Sequence, residues 1–108
     1  MYQYTTPTLP LTIKDVDFSQ VNLFRVAIEQ GDPDQQDGLE MLKIIQANDP
    51  IVDAEHKTIM LPLTQQETAS FEEGTARVQV RIKFTGGAVL ATNKATISIN
   101  DVIDKVII

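Results

Sequence analysis

The chain has no cysteine. That excludes a disulfide framework, a thiolate nucleophile and a zinc–sulfur site. It has no tryptophan and only one histidine. A Ser-His-Asp triad needs a histidine beside its serine, and Ser19, Ser70 and Ser98 lack a Gly-x-Ser-x-Gly context. Positive charge is also short. Nine Lys and Arg face fifteen Asp and Glu, a formal net charge of −6. Binding nucleic acid through bulk charge, or docking on anionic lipid, calls for the opposite balance. No apolar run approaches the roughly 20 residues of a membrane helix. The first residues, MYQYTTPTLP, have neither a basic nor an apolar leader region. The expectation is a soluble protein made in the cytoplasm, with no nucleic-acid or membrane partner.

What remains is ordinary for a globular domain. The 108 residues are 43% hydrophobic and 22% charged, enough for one core and one domain spanning 1–108. The clearest pattern is in GTARVQVRIKF. Ala76, Val78, Val80, Ile82 and Phe84 alternate with Arg77, Gln79, Arg81 and Lys83. A period of two predicts a half-buried strand over Thr75–Phe84, with Val78, Val80 and Ile82 inward. Thr85-Gly86-Gly87 supplies the turn, Ala88–Asn93 returns, and Ala95–Ile99 is a last strand.

Upstream, Leu9, Leu11 and Ile13 alternate, and Pro7 and Pro10 place that strand at an edge. VNLFRVAIEQ, Val21–Gln30, turns Phe24, Val26 and Ile28 to one face, with a bulge near Leu23–Phe24. Leu39–Ala47 is a third strand on its β-branched content, and Lys57–Leu63 a fourth. NDPIVDAEH between them reads as a connection. Thr64-Gln65-Gln66-Glu67 is a capping box, so a short helix runs from Gln65 to Phe71, seated by Ala69 and Phe71. About seven strands with one helical turn give an all-β, immunoglobulin-like antiparallel sandwich, the capped turn crossing between its sheets.

Candidate chemistry is sparse. His56 lies beside Asp53 and Glu55 in a loop, where a solvated histidine is the expected state. Asp32, Asp34, Asp37 and Glu40 suggest calcium, but the sixth position counted from Asp32 is Asp37, where the calcium hand needs glycine. Gly86-Gly87 has no lysine at phosphate-loop spacing, and Glu72-Glu73 face water. No catalytic, cofactor or metal site is expected, and no enzyme.

Two surfaces stand out. Arg77, Gln79, Arg81 and Lys83 form a polar stripe that is chiefly the wet side of a sheet and at most a protein-binding face. Gln79, an amide among cations, suits a hydrogen bond to a neighbouring strand or a partner. DVIDKVII carries Val102, Ile103, Val106, Ile107 and Ile108. Left in water, each forgoes about 1.5–3 kcal/mol of burial. They fold back on the sandwich or dock on another subunit, as in a homo-oligomer.

TTPTLPLTIKDVDFSQVNLFRVAIEQGD and LPLTQQETASFEEGTARVQVRIKFTGGAVLATNKATISINDVIDKVI resemble small virion-associated proteins of tailed phages and prophages of Gram-positive bacteria. The resemblance rests on LTQ-x-x-T, G-x-x-x-VQVR, a glycine hairpin, A-T-N and D-V-I. Asp32–Glu40 lies outside it. The style is similar to the N-terminal domains of phage baseplate upper proteins. It implies a structural or adaptor protein of tail, baseplate or head, located in the virion and contacting other virion proteins. It carries over no site residue. A small regulatory or ligand-binding β-sandwich is the alternative.

Overall fold

A computed structural model describes residues 1–31 and 39–108, with Leu39 described in its backbone only. Among the described residues eight strands form two antiparallel sheets. The smaller sheet has the order β1-β5-β4, with β1 at Thr8–Thr12, β4 at Val52–Asp53 and β5 at Thr58–Pro62. The larger has the order β3-β2-β6-β7, with β8 also on β6. Here β2 is Val21–Gln30, β3 Leu39–Gln46, β6 Gly74–Phe84, β7 Val89–Ala91 and β8 Ala95–Ile99. The all-β sandwich expected from alternation is therefore present.

Alternation decides what lies between the sheets. Phe24, Val26 and Ile28 of β2 are 0% exposed, and Ala76, Val78, Val80 and Ile82 of β6 are buried beside them. From the other layer come Ile59, Leu61 and Leu63. Phe18 packs on Phe24 with ring centroids 5.2 Å apart. β1 pairs only with β5, the edge position its prolines require. The register of β2 on β6 slips between Val21 and Leu23, so the bulge sits at Asn22, just before the expected site.

The capping box forms. The Glu67 amide donates to Thr64 Oγ1 at 3.1 Å, and the Thr64 amide donates to Glu67 Oε1 at 2.9 Å. Helix α1 spans Gln65–Ala69, shorter than the expected run to Phe71, and carries the chain from β5 in one sheet to β6 in the other. Thr68, rather than Ala69, is its fully buried member. Its hydroxyl can leave water because it donates to the Thr5 carbonyl at 2.9 Å and accepts from the Thr5 amide at 3.1 Å. Phe71 is buried as expected. The short β4 falls inside the segment read as a connection, because two residues cannot show a period.

At the β6–β7 hairpin the Gly87 amide donates to the Phe84 carbonyl at 2.9 Å. Gly87 alone of the two glycines takes a positive φ, +94°, where a side chain would be strained. The returning strand then breaks. Thr92 replaces one ladder position with its side chain: the Val80 amide donates to Thr92 Oγ1 at 3.0 Å, and the Thr92 amide donates to the Val80 carbonyl at 2.9 Å. This break, in A-T-N, separates β7 from β8.

Candidate functional site

The outer face of the larger sheet carries the whole polar stripe. Pairing places β6 residues against β2 and then β3. Arg77 lies opposite Glu29, which lies opposite Glu40. Gln79 lies opposite Ala27, which lies opposite Leu42. Arg81 lies opposite Arg25, which lies opposite Ile44. Lys83 lies opposite Leu23, which lies opposite Gln46. The same alternation that buries Val78 and Val80 thus sorts the outer residues into cross-strand rows.

The rows have different chemistry. In the Glu29 half, the Arg77 side chain sits 3.2 Å from Glu29 Oε1 and donates to the Gly31 carbonyl at 3.2 Å. Lys94 approaches the same carboxylate at 3.8 Å. Gln79 donates its amide to the Thr92 carbonyl at 2.9 Å, the neighbouring-strand bond its position suggested. Ala27, Glu40, Arg77, Gln79 and Lys94 line a shallow depression there.

The other half has no such closure. Among the described residues, Arg25, Arg81 and Lys83 have no carboxylate partner. Arg25 and Arg81 are direct cross-strand partners, a like-charge pair. Exposed apolar side chains flank them: Ile44 at 57% opposite Arg25, Val89 at 54% opposite Lys83, and Leu42 in the adjoining Gln79–Ala27 row. Arg25, Leu42, Ile44 and Val89 were not singled out in the sequence. The outward phase of β2 could have flagged Arg25, but its opposition to Arg81 depends on register.

The last residues form a strap across one end of the sandwich. Asn100 is fixed by the first residues: its amide donates to the Met1 carbonyl at 2.7 Å, and the Gln3 amide donates to the Asn100 carbonyl at 2.9 Å. At the far end the Gln65 side chain brackets Ile108. The Ile108 amide donates to Gln65 Oε1 at 2.9 Å, and Gln65 Nε2 donates to the Ile108 carbonyl at 2.7 Å. Ile107 and Ile108 rest near Thr6, Lys43 and Leu63. The backbone folds back, but the side chains are not covered. Ile103 is fully exposed, Val106 and Ile107 remain exposed, and Val102 is half-buried.

The remaining candidates are surface groups. His56 Nδ1 lies 2.7 Å from Asp53 Oδ2, with both side chains in solvent. That hydrogen bond lowers the Asp53 pKa. Asp32, Asp34 and Asp37 lie outside the described residues, while Glu40 is exposed on β3. Among the described residues no cluster of three His, Asp or Glu is placed to hold a metal. No helix among them is long and apolar enough to cross a membrane. In comparisons with known proteins, the chain matches no family model, no curated protein and no solved structure.

Proposed function

We propose that this chain is a non-enzymatic structural or adaptor protein of a phage or prophage particle, acting in tail, baseplate or head through contacts with other virion proteins. The observation that carries the reading is the Arg25–Arg81–Lys83 half of the outer face. It sets cations that have no carboxylate partner among the described residues beside exposed Leu42, Ile44 and Val89 on one sheet face. An apolar patch rimmed by charge on a scaffold of this kind suits protein contact. The strap from Asp101 to Ile108, with its exposed aliphatic side chains, offers a second contact. The motif resemblance supports the particle, and the two surfaces support protein contact as the mode of action.

The test is fractionation. Particles from an induced lysogen that encodes the chain are banded in a density gradient and probed with an antibody against it. The chain should co-band with the particles in a fixed ratio to a known tail or head protein. Its recovery only in the soluble fraction overturns the reading. The alternative, a small regulatory or ligand-binding module, would use the depression at Glu29, Arg77 and Lys94. The ion pairs that Glu29 already makes with Arg77 and Lys94 along its wall weigh against it.

A further inference from the structure

We propose that the strap of one copy, residues 101–106, docks on the Arg25–Arg81–Lys83 half of the outer face of a second copy. The contact is then head-to-tail, between two different surfaces of the same chain. It rests on the assembly reading in one respect: the chain must act in several copies.

Three observations select this occupant. The first is charge. The face presents three cations with no carboxylate partner among the described residues. Two of them, Arg25 and Arg81, oppose each other directly across the strands. Like charges so placed destabilise a sheet, and a carboxylate set between them reverses the sign. The strap brings Asp101 and Asp104 against one Lys105. The second is apolar complement. Leu42, Ile44 and Val89 stand exposed around the cations, and Ile103 and Val106 stand exposed beside the aspartates. The third is preorganisation. The strap is held at Asn100 by Met1 and Gln3 and at Ile108 by Gln65, so its two ends are already placed before binding.

The geometry also argues for a second copy over the chain's own strap. The strap leaves β8 beside Gly74, the β6 end farthest from Lys83. From Gly74 to Arg81 the strand runs about 23 Å at roughly 3.3 Å per residue. The strap then ends beside Gln65 and Lys43 on the crossover side. Two copies of the basic face pressed together would set Arg25, Arg81 and Lys83 against themselves, so a two-fold pairing of that face is disfavoured. A contact between unlike surfaces closes into a ring or extends as a chain of copies.

Light scattering and sedimentation on the whole chain provide the test. At low salt the protein should self-associate at micromolar to high micromolar concentration, and near-molar salt should weaken this. Ile103→Glu on the strap and the double variant Arg25→Glu/Arg81→Glu on the face should each weaken association by about tenfold or more. Ile103 and Arg81 are exposed and Arg25 is half-buried, and an unchanged sheet spectrum and melt verify the fold. Mixing the two variants is the discriminating step. Each supplies the surface the other lacks, so the mixture should form dimers and nothing larger. A wild-type chain that stays monomeric at high micromolar concentration in low salt overturns the proposal, as does a mixture that stays monomeric while the parent associates. Association that survives Ile103→Glu but fails with the face variant overturns the strap as occupant. Particle fractionation fails or succeeds separately. A chain found in particles but monomeric in solution sinks the head-to-tail contact alone; a chain that self-associates but is missing from particles sinks the assembly reading alone.

Discussion

Arg77 and Arg81 sit four residues apart on the same face of β6, and their surroundings are opposite in kind. Arg77 faces Glu29 and also bonds a backbone carbonyl. Arg81 faces Arg25 and is exposed. Near Arg77 the sheet closes its own polar surface with Glu29, Lys94 and the Gln79–Thr92 bond. Near Arg81 it leaves charge and aliphatic surface together. Residue type on a strand face therefore says little by itself. The group across the ladder decides whether an arginine is part of the scaffold or is left for a partner.

Both halves depend on the inward side of the same strands, and the largest effect belongs there. Phe24 is fully buried between the two outward residues Leu23 and Arg25 and packs on Phe18. Phe24→Ala should lower stability by about 3–5 kcal/mol. Chemical denaturation showing a loss under 1 kcal/mol, by the same principle of core truncation, would mean β2 is not the core strand on which both halves rest.

A middle effect lies at the crossover, where the Lys43–Glu67 ion pair joins the sheet to helix α1. Thr64→Ala removes the acceptor for the Glu67 amide and should cost about 1 kcal/mol. The same site gives a pH dependence. Partial burial raises the Glu67 pKa, but Lys43 at 2.6 Å and the Thr64 amide and hydroxyl outweigh it, leaving the pKa below its usual value of 4.5. A carboxylate with a lowered folded pKa stabilises fully above its unfolded value, and that contribution is lost as pH falls through the folded value. Acid melts of wild type should lose this increment below the usual carboxylate range, and Glu67→Gln should lack it at every pH. Identical pH profiles for the two proteins would mean that the Glu67 charge beside Lys43 adds no stability.

The two arginines themselves give small effects of opposite sign. Glu29→Gln breaks the partly exposed pair with Arg77 and should cost about 0.2–1 kcal/mol, less at high salt. Arg81→Gln relieves the like-charge opposition to Arg25 and should raise stability by a few tenths of a kcal/mol, roughly the lower end of cross-strand effects. Melting curves in low and high salt would resolve both. A loss on Arg81→Gln matching that on Glu29→Gln would erase the distinction between the halves.

The legible parts of this protein are local. Val78, Val80 and Ile82 can be assigned to the core because a strand exposes alternate residues to opposite sides, whatever its neighbours. Thr64 and Glu67 can be assigned to a cap because both partners lie within one turn. Pro10 marks an edge because it has no amide to give. Val52–Asp53 is too short to show a period and became a strand only by lying beside Thr58 and Ile59. Thr68 reads as a polar helix residue, yet the Thr5 backbone lets it be fully buried.

The alternation, the turns and the cap follow from residues near one another in the chain, and the acidic balance and the lack of cysteine follow from its composition. Tertiary structure decided which strands became neighbours. That choice set Glu29 against Arg77, Arg25 against Arg81 and Gln65 against Ile108. These pairings join residues far apart in sequence, and a shift of one residue in register would turn each strand's outer set inward. The two halves of the face therefore exist only once the sheet has formed.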